Sequence, residues 1–239
     1  MNSTEQLRIL TRQHLETIEL LGVGFVPIGA DAPNTTDAES LEEVGVGPTH
    51  SGLRTSASAV DQGHKLIQLE ELRSRHDADC MHCTTATYHH KTVFGEGNPD
   101  AEIMFIGEAP GEEEDRTGRP FVGRAGQKLD DIIRAMGFSR ADVYIANVLK
   151  SRPPENRTPL QHEVDVCSAF LREQIRIIAP RVIVALGGPA AKMLLRTETG
   201  ITRLRGQWGW YEDHGLQIPL MPTFHPAYIL RNYTVDTRQ

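Results

Sequence analysis

Residues 103–126 read Ile-Met-Phe-Ile-Gly-Glu-Ala-Pro-Gly-Glu-Glu-Glu-Asp-Arg-Thr-Gly-Arg-Pro-Phe-Val-Gly-Arg-Ala-Gly, and this stretch decides the fold. Ile103–Ile106 is a short apolar run ended by glycine, the pattern of a strand buried on both faces. A glycine-rich loop at the carboxyl end of such a strand is where open α/β sheets bind ligands. Gly107, Gly111, Gly118, Gly123 and Gly126 allow tight turns and close backbone approach. Phe121, between Pro120 and Val122, offers a flat apolar face among carboxylates and arginines. A loop of this length inside a compact domain is usually functional. Its chemistry predicts a pocket for a small, flat, polar ring.

The same strand pattern recurs at Val143–Ala146, Arg181–Leu186 and Ile218–Met221. Between these runs, helical periodicity appears near 125–136, 160–178 and from Gly188 to Leu195, and upstream at Lys65–Ser74. Strands alternating with helices predict a three-layer α/β/α sandwich around a central parallel sheet. On the 160–178 helix, Leu160, Val164, Cys167, Leu171, Ile175 and Ile178 are expected to share one face. Leu7, Leu10, Leu15, Ile18 and Leu21 mark an N-terminal amphipathic helix, whose partner is not legible. Residues 27–63 are acidic and rich in Gly, Pro, Ser and Thr, the composition of a flexible linker. The expected division is 1–26, helix; 27–63, linker; 64–239, catalytic-type α/β domain.

Of 25 Lys/Arg and 32 Asp/Glu, 6 and 13 fall in residues 1–79, which leaves 19 of each in the remainder. The net charge of −7 therefore belongs to the N-terminal third, and basic residues cluster at the candidate loops, where phosphates could be met. No run approaches the roughly 18 apolar residues of a membrane span, and the N-terminus lacks the pattern of a signal peptide. Three cysteines, two of them in Cys80-Met81-His82-Cys83, fit a reducing, cytoplasmic compartment and a metal site better than disulfides. Taken alone, Cys167 reads as a buried core residue.

Four segments in order, Cys80–Cys83, Gly107–Gly126, Asn147-Val-Leu-Lys-Ser-Arg-Pro-Pro-Glu-Asn-Arg157 and His225-Pro-Ala-Tyr-Ile-Leu-Arg231, resemble the family 4, iron–sulfur uracil-DNA glycosylases across residues 78–232. The resemblance implies a monomeric, monofunctional enzyme that flips uracil out of DNA and hydrolyses its N-glycosidic bond, starting base-excision repair. It implies that Gly107, Phe121, Asn147 and His225 bind uracil, with Phe121 stacking on the ring. An asparagine amide, with one donor and one acceptor, matches the O4 and N3–H edge of uracil. His225 would stabilise negative charge at O2, and Glu108 is the nearest carboxylate for positioning water, because Ala109 stands where another branch has aspartate. Arg124, Arg152, Pro153, Tyr228 and Arg231 are the expected DNA contacts. A uracil-DNA binder of the same fold without turnover is the alternative.

In that family four cysteines hold a [4Fe–4S] cluster. Cys80, Cys83 and Cys167 match three of them, and Ser151 stands at the remaining position. Three outcomes follow: a cluster on three thiolates with Ser151, water or a nearby side chain at the fourth iron, or a [3Fe–4S] form; zinc on the three cysteines with a histidine such as His82, His89 or His90; or cysteines without metal. The expected one is a [4Fe–4S] cluster in a structural role.

Overall fold

The structure is a computed structural model that describes residues 56–86 and 88–232, so the helix expected at 4–21 and most of the linker lie outside the described residues. Six strands form one sheet: β1 (Glu96–Gly97), β2 (Ile103–Gly107), β3 (Tyr144–Asn147), β4 (Val182–Leu186), β5 (Gly209–Asp213) and β6 (Leu216–Thr223), in the spatial order β1-β3-β2-β4-β6-β5. The four central strands are parallel, with registers that align Gly107 with Asn147 and Leu186 with Thr223. Their carboxyl ends therefore share one edge. The chain passes from β2 to β3 on one side and then to β4 on the other, which creates the switch point where such sheets carry a crevice.

Side-chain alternation along β2 divides the core into two layers. Met104 and Ile106 pack with Ala146, Ile183 and Leu220 against Cys167, Leu171 and Ile175. These three residues come from α5 (Gln161–Ile178), which follows α1 (Ser56–Asp79), α2 (Met81–Thr85), α3 (Glu112–Thr117) and α4 (Arg124–Ala135) in the chain. Phe105 points the other way, with Ile145 and Val184, onto Leu129 and Ile133 of α4. Helices α6 (Gly188–Leu195), α7 (Ile201–Leu204) and α8 (Pro226–Asn232) are the remaining α-helices among the described residues. The three-layer sandwich is as expected.

Three local expectations are corrected. The sheet is mixed, because β1 and β5 pair antiparallel at its two edges. β5 joins β6 through His214 (φ 45°) and Gly215 (φ 84°), and positive φ at both central residues is the turn that matches strand twist in a two-residue hairpin. β5 alternates exposed Trp210 and Glu212 with buried Tyr211 and Asp213, so it offers no apolar run to recognise. Second, α1 starts at Ser56 rather than Lys65. Third, Leu160 is the N-cap of α5 and 48% exposed, while Val164, Cys167, Leu171, Ile175 and Ile178 do share the inner face.

Candidate active site

The carboxyl ends of β2 and β3 and the turn after β6 enclose a cavity of about 480 Å³, lined among others by Glu108, Phe121, Asn147, Pro153, His225 and Arg231. Larger cavities of about 780 and 650 Å³ lie beside the cysteines and beyond Glu108 towards α6. Only the smallest of the three gathers buried polar atoms at the strand ends. Residues predicted from three distant segments thus meet at one place.

Asn147 ends β3, 1% exposed, and its Oδ1 has no hydrogen-bond partner. A buried acceptor left unpaired costs about 1–3 kcal/mol unless a ligand satisfies it. Gly107 faces it across the strand pair: a Cβ there would lie 2.6 and 2.8 Å from the Phe121 ring, and closer still to Asn147 Oδ1. Glycine is thus what leaves the cavity floor open.

Phe121 adopts φ 51°, a conformation that costs a non-glycine residue about 1–3 kcal/mol and must be held by its surroundings. Arg140 holds it. Its guanidinium donates to the carbonyls of Pro120 and of Phe121 (3.1 Å), to Glu96 (2.6 Å) and to Asp130 (2.9 Å). Gly126 lets the first turn of α4 rest on the Phe121 backbone, where any Cβ would collide with its carbonyl. On the loop's other flank, the Glu114 carboxylate accepts from the amides of Gly111 (3.2 Å), Val122 (2.8 Å) and Gly123 (3.0 Å). Asp115, buried, binds the backbone of His90 and Lys91. The acidic run therefore has an exposed half, Glu112 and Glu113, and a half that shapes the loop. Arg140 and Glu114 were not singled out from sequence, since neither lies in a motif whose chemistry names it.

His225 lies with its ring centroid 5.6 Å from that of Phe121 at 32°. Nδ1 accepts the Ala227 N–H at 3.1 Å, so the neutral ring carries its proton on Nε2. Desolvation, with lesser help from the Arg231 charge, holds the imidazole down to about 4, and the ring is neutral at physiological pH. Glu108 borders both this cavity and its neighbour, and desolvation raises its carboxyl above the usual range.

The expected DNA contacts surround the mouth unequally. Pro153 and Arg231 line the cavity. Tyr228 is 39% exposed beside it and stacks on Phe224, their centroids 4.6 Å apart. Arg152 is tethered to Asn156 at 2.8 Å, and Arg124 is exposed at the start of α4, outside the cavity lining. Arg157 pairs through both guanidinium ends with Glu163, at 2.7 and 2.8 Å, and that pairing holds Glu163 down to about 2.

Behind the cavity, Lys150 is fully buried; its Nζ donates to the Asn147 carbonyl (2.8 Å) and to Gln174 (2.5 Å). The next residue, Ser151, meets the cysteines. Cys83 Sγ lies 3.4 Å from Ser151 Oγ, and Cys80, Cys83 and Cys167 are all at most 6% exposed. Hydrogen bonds among the thiols, chiefly from Cys167, pull Cys80 far below the ordinary thiol range, while Cys167 is pushed up to about 12, chiefly by Cys80. Thiols converging from α1–α2, from α5 and beside the loop after β3 form a soft, buried donor set that fits a thiolate-held metal group. Of the histidines suggested as additional ligands, His90 pairs with Asp115 at 2.7 Å, and neither His82 nor His89 joins the cysteines. The one that does is His76, within 4.8 Å of Cys80 and Cys83. Its signal in the sequence was its place one helical turn before Cys80.

Comparison with known proteins converges on this arrangement. Residues 94–239 match the family model described as the uracil DNA glycosylase superfamily. A type-4 uracil-DNA glycosylase of Thermotoga maritima is 46% identical over 174 residues, which cover 72% of this chain and 88% of that protein. One from Sulfurisphaera tokodaii is 44% identical over 158 residues, 64% of this chain and 72% of its own length. A type-5 uracil-DNA glycosylase of Pyrobaculum aerophilum is 37% identical over 115 residues, 42% of this chain and 50% of its own. With the strand-end crevice in place, the family model matched over residues 94–239 and the two type-4 relatives matched over most of their length, the chain belongs to the uracil DNA glycosylase superfamily.

Proposed function

We propose that the protein removes uracil from DNA by hydrolysing its N-glycosidic bond, the activity named for its type-4 relatives. The observation that carries this reading is the unpartnered Asn147 Oδ1 at the floor of a cavity flanked by an aromatic ring and a neutral Nε2–H donor. Uracil extruded from the helix stacks on Phe121. Asn147 Oδ1 accepts N3–H and its amide nitrogen donates to O4. Thymine carries a methyl at C5, and cytosine offers an amine where Asn147 also donates.

As the bond to C1′ lengthens, electron density moves onto the base and C1′ becomes cationic. His225 donates Nε2–H to O2, where negative charge accumulates, without having to release its proton. Aiming a fixed donor at developing charge is the largest single source of rate acceleration in such sites. Glu108 orients the water that attacks C1′ and offsets the positive charge there. Arg152, Pro153, Tyr228 and Arg231 meet the DNA around the mouth, with Arg124 further out, and Tyr228 fills the gap left by the base.

We assign Cys80, Cys83 and Cys167 to an iron–sulfur cluster, for which zinc is the competing occupant. Bound there, it supplies cross-linking rather than chemistry, tying α1–α2 and α5 together behind the loop that follows Asn147. The domain responsible includes α1, which starts at Ser56 and so carries the domain further upstream than the expected boundary at residue 64.

The direct test is base selectivity. The same duplex is offered with uracil, thymine or cytosine at one position, and free base is quantified. Release of uracil alone, or at least 10²-fold faster than the others, is expected. No release from the uracil duplex, despite measurable binding, supports a binding protein instead.

A further inference from the structure

The cluster assignment leaves one ligand position to be explained. Ser151 occupies it by order along the chain, yet its Oγ is engaged with Cys83 Sγ at 3.4 Å. A serine ligand must lose its hydroxyl proton, and its hard oxygen suits a thiolate-rich site poorly. The buried imidazole of His76 has neither drawback. It is 0% exposed, and its ligand nitrogen and the sulfurs of Cys80 and Cys83 all lie within 4.8 Å of one another.

The surroundings of His76 are those of a ligating histidine. Nε2 has no hydrogen-bond partner, an unusual state for a buried nitrogen. Nδ1 lies 2.9 Å from Asp77 Oδ1, and that oxygen accepts a further bond from Thr92 Oγ1 at 2.9 Å. The carboxylate holds the proton on Nδ1 and leaves the Nε2 lone pair free, the outer arrangement that metal-bound histidines share. Two aromatic rings fix the plane of the imidazole: Phe170, edge-on at 4.9 Å, and Phe94 at 5.8 Å between centroids. Imidazole replaces thiolate in some iron–sulfur centres and completes Cys₃His zinc sites.

We propose that His76 Nε2 is the fourth protein ligand of the metal group held by Cys80, Cys83 and Cys167. This rests on the reading that the cysteines hold such a group. Ser151 then serves as hydrogen-bond donor to the Cys83 sulfur, and Asp77 is a positioning residue. The chemistry is the same for an iron–sulfur cluster and for a single zinc ion, and metal analysis separates them. In the cluster, exchanging a thiolate for a neutral imidazole raises the net charge by one and moves the reduction potential upwards.

The test uses the full chain purified anaerobically, with iron, zinc and acid-labile sulfide measured per chain and retention followed against EDTA. Wild type and Ser151→Ala should hold metal equally. His76→Ala should lose it at least tenfold faster, and Asp77→Asn about tenfold faster, in line with the usual effect of removing such an outer partner. His76→Cys should retain metal, with a lower reduction potential if the occupant is a cluster. On wild type itself, histidine-nitrogen hyperfine coupling to the reduced cluster, or a nitrogen neighbour at the zinc absorption edge, should be present and vanish in His76→Cys; this decides the matter even if His76→Ala fails to fold. Wild type without metal overturns the centre and the ligand together. Metal held normally by His76→Ala with no nitrogen signal in wild type overturns the ligand alone, and loss confined to Ser151→Ala reassigns it to Ser151.

Discussion

Replacing Gly107 by alanine adds one methyl group at the most confined point of the cavity. The new Cβ would stand 2.6 and 2.8 Å from two ring carbons of Phe121, where ordinary contact needs about 3.5–4.0 Å, and it would also press on Asn147 Oδ1. The ring cannot retreat freely, because Arg140 fixes its backbone and Gly126 seats the next helix on its carbonyl. Relief of about 1 Å must come from tilting Phe121 or rotating the Asn147 amide, and both shrink the space for a flat base. Overpacking of this kind costs about 1–3 kcal/mol, hence roughly 2–12 °C in Tm for a domain of this size. A misplacement near 1 Å costs about 10²-fold in rate. The assay is single-turnover uracil release from a duplex oligonucleotide alongside a thermal melt. Gly200→Ala is the control, since nothing lies within 4 Å of its Cβ position; excision should be unchanged, and loss of the glycine N-cap of α7 should cost no more than about 1 kcal/mol. Uracil excision by Gly107→Ala within about threefold of wild type, with an unchanged melt, refutes the assigned cavity floor.

Asn147→Ala should lower kcat/KM by about 10²-fold while moving Tm little, because Oδ1 makes no bond in the free protein; steady-state kinetics and calorimetry check the two halves separately. Arg140→Ala should cost about 2 kcal/mol or more, since it leaves the Pro120 and Phe121 carbonyls without their donor while Glu96 keeps only Arg119, and should release the Phe121 loop to faster amide exchange. For pH, Glu163 is held down to about 2, so its pairing contributes stability above the unfolded carboxylate value near 4.3 that is lost as pH falls towards 2. His225 works with the opposite charge: held at about 4, it must gain a proton on unfolding, so stability also declines as pH falls from about 6.5 to 4. Acid melts of Glu163→Gln and His225→Gln should each flatten part of that decline. Activity should show no acid limb from His225 near pH 6.5, because that ring stays neutral down to about 4, and burial moves any limb due to Glu108 upwards from the ordinary carboxylate range.

The parallel core of the sheet was legible because Ile103–Ile106 and Val182–Leu186 are buried on both faces and therefore read as unbroken apolar runs. β5 was not, since an edge strand with one wet face needs no such run. Asn147, Phe121 and His225 could be named through the resemblance of their segments to the family: an asparagine amide does match a uracil edge and Phe121 offers a flat face, but a lone His-Pro by itself reads as a turn. Glu114 escaped because it acts through backbone amides of its own loop and reads as one of a run of surface acids, and Arg140 because no residue pattern announces carbonyl partners 19 and 20 positions away. The cysteines announced a metal site, but the histidine that joins them sits on the preceding helix, outside the spacing that drew attention to His82, His89 and His90.

Free uracil, measured by mass spectrometry under single-turnover conditions for wild type and His225→Ala on the same uracil-containing duplex, tests the account most directly. Wild type should release one uracil per site and leave an alkali-labile abasic strand. His225→Ala should do so about 10²–10³-fold more slowly with DNA affinity retained. Wild type that binds the duplex and frees no uracil, or a His225→Ala variant as fast as wild type, contradicts it.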